Sequence, residues 1–129
     1  MGSIARNTGE QQIHFLRKPF TFADNGLTLT VGVLPPNSII LKPISGVNVS
    51  QVANAGTNNF MDIGNTVTSD LYGTDLSLLA LGFIPLDEAV SFLVPPTGGD
   101  ITVTATLQLS GTAATTGTGH VVIAYIPPN

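Results

Sequence analysis

The segment ITVTATLQL, residues 101–109, places an apolar side chain at every second position, with threonine or glutamine between them. Successive side chains of a β-strand point to opposite faces, so this alternation predicts a strand with one buried face and one wet face. Threonine suits the wet face because its branched Cβ fits a pleated surface. The same alternation in residues 27–33 predicts a second strand of this kind, and the two segments indicate an all-β chain.

The segment HVVIAYI, residues 120–126, is apolar almost throughout and predicts a strand that is covered on both faces. It is too short, and too rich in valine and isoleucine, for a buried helix. Weaker strand patterns occupy residues 12–16 (continued by Phe20 and Phe22), 38–41, 46–52, 59–63 and 89–94. Clusters of Gly, Pro, Asn and Asp separate these segments, which indicates a two-sheet sandwich or a barrel. Of the two, we expect an antiparallel two-sheet sandwich, jelly-roll-like, of about eight strands.

The segment DLYGTDLSLLALG, residues 70–82, does not follow the strand period. It is compatible with a helical turn that begins at a Thr74 or Asp75 cap and ends at a Gly82 cap. A packed loop between the two sheets is the alternative. The residues expected to be buried in either case are Leu76, Leu79 and Phe83.

The composition limits the domain organisation. The 129 residues fit one domain, and the chain has no cysteine for a disulfide or a thiolate metal site. Residues 1–18 are expected to form a flexible N-terminal arm or lead-in segment, and residues 19–129 a single sandwich domain. Only 9% of the residues are charged, against about 25% in an average soluble domain. Electrostatic repulsion between copies is therefore weak, which favours assembly through neutral faces.

The distribution of charge excludes some classes of partner. The net charge of −4 leaves no basic surface for nucleic acid or for an anionic membrane. No apolar run approaches the ~20 residues of a membrane span, and the N-terminus lacks the apolar core of a signal peptide. We therefore expect neither nucleic acid nor a membrane as a partner, and no export through a standard signal.

Residue patterns for catalysis or metal binding are lacking. His14 and His120 are the only histidines, and neither has further ligands at a definable spacing. No Gly-x-Ser-x-Gly elbow or catalytic triad is recognisable. Asp62, Asp70 and Asp75 fall in one segment and could surround a hard cation such as calcium, but they match no EF-hand loop and suit strand-end, turn and cap positions equally well. No catalytic, cofactor or metal residues are predicted, and an enzyme is not expected.

Four segments of the chain resemble a known group of proteins. They are FMDIG at residues 60–64, DLYGTDL at 70–76, the threonine-alternating segment from Ile101, and GHVVIAYI at 119–126. They are similar to segments of the small virion proteins that are encoded in the head gene clusters of tailed bacteriophages. The resemblance extends over residues 45–126.

This resemblance implies a non-enzymatic capsid decoration (cement) protein that stabilises a bacteriophage head through protein–protein contacts. The implied partner is the major capsid protein, and the implied assembly is a trimer or dimer of the chain. The implied location is the capsid exterior of the virion, after synthesis in the host cytoplasm. Many weak contacts, repeated by symmetry, would hold the shell through avidity.

Two sets of residues are candidate contacts. In the basic N-terminal segment, Arg6, Arg17 and Lys18 are expected to meet acidic groups of the capsid. The segment LLAL, residues 78–81, has more apolar side chains than one core face needs. The candidates for a subunit interface are therefore Leu78, Leu79 and Leu81.

Two other functions stay open at this point. One is a carbohydrate- or receptor-binding module of a fibre or surface protein, which the absence of tryptophan and the scarcity of tyrosine make less favourable. The other is a minor head-completion or tail component with the same fold.

Overall fold

A computed structural model describes residues 12–90 and 92–128 of the chain, and the regular structure in them is almost entirely β-strand. The strands in chain order are β1 (His14–Thr21), β2 (Thr28–Leu34), β3 (Ile39–Ile40), β4 (Gly46–Gln51), β5 (Asn58–Asn65), β6 (Gly73–Ser77), β7 (Gly82–Pro85), β8 (Ile101–Ser110) and β9 (Thr118–Ile126). Two short 3₁₀ turns, Phe22–Asp24 and Lys42–Ile44, lie in the connections.

The strands form two antiparallel sheets. Sheet A has the order β1-β9-β4-β7, with β3 pairing with the end of β9, and sheet B has the order β2-β8-β5-β6. The first strand therefore pairs with the last, and the second pairs with the last but one. This strand order is that of a jelly roll, in which two Greek keys form two packed sheets. The predicted antiparallel two-sheet sandwich is confirmed.

The core lies between the sheets and follows the predicted period of two. In β8 the buried apolar positions are Val103, Ala105 and Leu107, and in β9 Val121 and Ile123 are buried opposite them. Burying one large aliphatic side chain contributes roughly 1.5–3 kcal/mol to the hydrophobic driving force. The alternate positions of β8 carry the threonines, but the prediction that this face is wet is wrong at Thr104, which is 3% exposed.

The prediction that both faces of β9 are covered is wrong for its outer face. Thr118, His120 and Val122, which point away from sheet B, are only half-buried. Ala124, the next residue on this side, is fully buried, so the exposure is confined to the part of the face around His120 and Val122.

Neither of the two alternatives for residues 70–82, a helical turn or a packed loop, is correct for residues 73–77, which form edge strand β6. Asp75 adopts a φ of 53°, at an irregularity in the pairing of β5 with β6, which interrupts the period that the sequence would otherwise show. Leu76 is buried as predicted. Leu79 is 58% exposed, and Phe83 is 44% exposed because it lies opposite the outward Asn48.

Two predicted segments differ in smaller ways. The described residues of segment 89–94 contribute one isolated bridge, between Leu93 and Ile39, in place of a strand. Residues 14–18, which the sequence assigned to the N-terminal arm, lie in β1 and pair with β9. Residues 1–11 lie outside the described residues, so the arm stays a prediction.

A buried serine completes the hydrogen bonding of β9. One edge of β9 pairs with β1, whereas the other edge pairs with two separate strands, β3 and β4. Between these two strands, the Ala124 N–H donates to Ser45 Oγ at 2.9 Å, and Ser45 Oγ donates to the Leu41 carbonyl at 2.7 Å. The hydroxyl thus replaces a strand partner at a position where an unpaired backbone N–H would be costly.

We predict that Ser45→Ala destabilises the fold by about 1–3 kcal/mol, because it leaves the buried Ala124 N–H without an acceptor. Urea unfolding measures the difference. The matched control is Ser50→Ala, whose hydroxyl contacts Thr118 Oγ1 on the exposed surface and whose loss should cost about 0.5 kcal/mol or less. Equal losses in the two variants would contradict the role of Ser45.

Candidate interaction surfaces

Four connections meet at one end of the sandwich, the four-loop end: residues 22–27, 52–57, 78–81 and 111–117. Hydrogen bonds hold them together. The Asn54 amide oxygen accepts the N–H groups of Thr115 and Thr116, at 2.8 and 3.0 Å. The Ala53 N–H donates to the Leu78 carbonyl at 3.0 Å, and the Phe22 N–H donates to the Gly117 carbonyl at 2.8 Å. These bonds make the end a defined surface.

The four-loop end is nearly free of charge. Asp24 is its only ionisable side chain, and that carboxylate accepts the Thr21 N–H at 2.9 Å. Three leucines project from it: Leu27, Leu79 and Leu81 are 56%, 58% and 68% exposed. Contact between such neutral apolar surfaces incurs no charge repulsion, so this end is suited to contact with another protein surface.

A depression of about 320 Å³ lies in the same end, and small or apolar residues dominate its lining. Its lining residues are Phe22, Ala23, Asn25, Ala55, Leu109, Gly111, Thr112, Ala113 and Ala114. At its rim, Asn25 Nδ2 donates to the Leu109 carbonyl at 2.9 Å, and the Leu109 N–H donates to Asn25 Oδ1 at 3.0 Å.

The outer face of sheet A is a second exposed surface, and it has a different chemistry. A depression of about 340 Å³ on it, the sheet A depression, is lined by Phe15, Arg17, Asn48, His120 and Val122. The strand registers bring these residues together: Arg17 lies opposite Val122, and His120 lies between Pro19 of β1 and Asn48 of β4. Phe15 is 60% exposed at the rim of the depression.

The basic residues that the sequence predicted as capsid contacts lie in different surroundings. Arg17 lies in the sheet A depression, with an exposed side chain. Lys18 is the next residue of β1 but is half-buried and does not line that depression. Arg6 lies outside the described residues. Sequence analysis did not connect Arg17 with Phe15 or His120, because the connection depends on which strands pair.

Of the three leucines predicted for a subunit interface, one is buried and two are exposed. Leu78 is 1% exposed, and its N–H donates to the Asn59 carbonyl at 2.9 Å, so it belongs to the chain's own core. Leu79 and Leu81 project from the four-loop end and stay candidates for an interface. Leu27, which the sequence assigned to a strand, joins them at this surface.

The Asp62 carboxylate of β5 has a structural role. Asp62 is buried on the outer face of sheet B, where its carboxylate accepts the Asp75 N–H at 2.8 Å and a hydrogen bond from the Gln108 side chain. A Cβ at Gly64 would collide with the Thr68 carbonyl, so this glycine lets the following loop pack on β5. Hydrogen bonding thus accounts for Asp62, and loop packing for Gly64, in the segment FMDIG at residues 60–64.

Burial raises the pKa of the Asp62 carboxyl above its ordinary value. The negative charges of Asp75 and Asp70 also raise it, whereas the hydrogen bonds from the Asp75 N–H and from Gln108 lower it. Within residues 12–90 and 92–128, no three His, Cys, Asp or Glu side chains are grouped so as to hold a metal ion. In the same ranges, no helix has the length and apolar character required to cross a membrane.

The raised pKa of Asp62 gives a testable pH dependence. A carboxyl with a higher pKa in the folded state stabilises the fold most below its unfolded pKa of about 3.9. That contribution is lost as the pH rises through the folded pKa. Asp62→Asn retains an oxygen for the Asp75 N–H without the charge. We therefore predict that the stability of Asp62→Asn, relative to the native chain, increases between about pH 3 and pH 7.

Thermal unfolding across this pH range measures the effect. Asp100→Asn is the control, because it removes one negative charge from an exposed residue that precedes β8. Between pH 3 and pH 7, the stability difference between Asp100→Asn and the native chain should change less than the difference between Asp62→Asn and the native chain. A native chain that gains stability over Asp62→Asn as the pH rises would contradict the prediction.

Comparisons with known proteins bear on the fold. No family model matches the sequence, and no curated protein matches it. Among solved structures, a chain of the cyanophage Pam1 capsid asymmetric unit is similar, with a TM-score of 0.58 and 19% sequence identity. The likeness covers 91% of this chain and 84% of that chain. The sandwich described here is therefore also the fold of a chain from a phage capsid.

Proposed function

We propose that this chain is a non-enzymatic structural protein of a bacteriophage capsid, and that it acts there as a decoration (cement) protein. The observation that carries the proposal is the fold shared with a chain of a cyanophage capsid asymmetric unit, over most of both chains. The resemblance of residues 45–126 to small virion proteins supports it independently. The partner is the major capsid protein, and the place of action is the exterior of the head.

The two exposed surfaces support an assembly role. A decoration protein needs contacts with its own copies and contacts with the shell, and this sandwich offers two separate surfaces. The neutral four-loop end suits contact between copies, because Asp24 is the only ionisable side chain that the contact would bring together with its own copy. Leu79 and Leu81 form the centre of that contact, in a trimer or dimer. Arg17 faces acidic groups of the shell, and Arg6 precedes it in the same basic segment, whereas the half-buried Lys18 lies on the opposite face of β1.

We predict that the double variant Leu79→Ser, Leu81→Ser shifts the protein from an oligomer to a monomer at micromolar concentration. Both side chains are mainly exposed, so the fold of each subunit should be retained. Sedimentation velocity measures the assembly state. Val67→Ser is the control, since Val67 is 88% exposed and lies outside the four-loop end. A monomeric native protein, or a double variant that assembles like the control, would contradict this role of the four-loop end.

The proposed function itself is tested on particles of the phage that encodes the chain. We expect the protein on the outside of the head, at about one copy per major capsid subunit, and we expect particles without it to release their DNA at lower temperature. Quantitative protein analysis and thermal release of DNA measure the two quantities. A few copies per particle would favour the head-completion or tail alternative, and absence from the particle would exclude a virion role.

A further inference from the structure

The outer face of sheet A has an unusual combination of groups around the centre of β9. The apolar side chains there are Phe15 of β1, Val122 of β9 and Phe83 of β7. Phe15 and Phe83 are 60% and 44% exposed. His120 and Val122 are only half-buried at the centre of this face, although the residues of β9 alone would suit a strand covered on both sides. An additional surface would therefore complete the burial of this face.

Three nitrogen-bearing side chains lie among these apolar groups. His120 is directly opposite Asn48 in the register, which places their Cβ atoms roughly 4.5–5.5 Å apart. Arg17 is diagonal to His120 across β1 and β9, at a separation of roughly 7–8 Å. No residue in the described ranges forms a hydrogen bond with any of the three side chains. Their donors are therefore available to a ligand.

The charge of this face differs from that of the rest of the molecule. The outward positions of β1, β9, β4 and β7 include Arg17 and His120 but no carboxylate. The outer face of sheet B has Asp62 and Asp75 and no basic side chain. A ligand that matches the sheet A depression must therefore bring negative charge, and it must also bring apolar surface for the two phenylalanines.

We propose that the sheet A depression binds a carboxylate that is carried by an apolar segment of a partner protein, so that the outer face of sheet A is the face that meets the capsid shell. The Arg17 guanidinium presents a planar set of N–H donors that fits a carboxylate in a bidentate way. Asn48 and His120 add donors across the sheet, and Phe15 packs against the apolar flank. The identity of the partner rests on the proposed function, whereas the carboxylate chemistry does not.

Two other occupants fit less well. A second copy could offer the exposed Asp75 of β6, but its apolar neighbour Leu76 is buried and could not pack against Phe15. A head-to-tail contact of that kind would also tend to form open filaments. A sugar could use the acceptors of Asn48 and His120 as well as their donors, but it would bring no negative charge for Arg17.

The chemistry is tested with two short peptides that differ at one position, with either glutamate or glutamine between two leucines. In amide-resolved NMR titrations, we expect the glutamate peptide to shift signals around Arg17, Asn48 and His120. The glutamine peptide should bind at least tenfold more weakly. Arg17→Gln should weaken binding of the glutamate peptide at least tenfold, because it removes the bidentate donor.

Lys18→Gln is the matched control, because it removes the same charge from the neighbouring position of β1. We expect it to change peptide affinity less than twofold. Equal losses in both variants would mean diffuse attraction of charge and would overturn the site. Equal binding of the two peptides, or shifts confined to another surface, would overturn it as well. Binding of a glycan by the native chain, if it is lost in Arg17→Gln, would also overturn the carboxylate site.

The orientation on the shell is tested by adding protein to particles that lack it. If the native chain binds and Arg17→Glu does not, the outer face of sheet A meets the shell. If both bind equally, the inference is overturned and the proposed function stands. If the native chain does not bind particles but still binds the glutamate peptide, the proposed function fails while the carboxylate site stands.

Discussion

Strand β9 must satisfy its backbone hydrogen bonds along two edges, and the rest of the fold depends on how it does so. On one edge β1 pairs with it from His14 to Thr21. The other edge is shared by β3 and β4, because the chain leaves the sheet between them. The Ser45 hydroxyl bridges that gap, and so one buried side chain lets two strands act as a continuous neighbour.

The pairing of the first strand with the last also creates the surface of sheet A. Arg17 and His120 come from opposite ends of the described chain, yet the register places them on one face. Strand β4 adds Asn48 to that face from the other side of β9. The hydrogen bonds that complete the fold therefore also bring together the residues of the sheet A depression.

Charge is distributed so that each surface has a distinct chemistry. The four-loop end is neutral, the outer face of sheet A has donors without carboxylates, and the outer face of sheet B holds Asp62 within its own hydrogen bonds. A sandwich with few charges can present such separate surfaces, because the electrostatic field of the whole molecule is weak compared with the contacts at each surface. This arrangement is compatible with a protein whose work is to hold other protein surfaces together.

The sequence by itself determined the all-β class, the sandwich, and the inward face of β8, because side-chain alternation is a local property of an extended chain. It also singled out Arg17 and the leucines near residue 80, of which Leu78 lies in the core. Only the tertiary structure decided that residues 73–77 form a strand, since the left-handed Asp75 interrupts the period. Only the register decided that Phe15, Asn48 and His120 surround Arg17, because strand pairing is a long-range choice that local pattern does not contain.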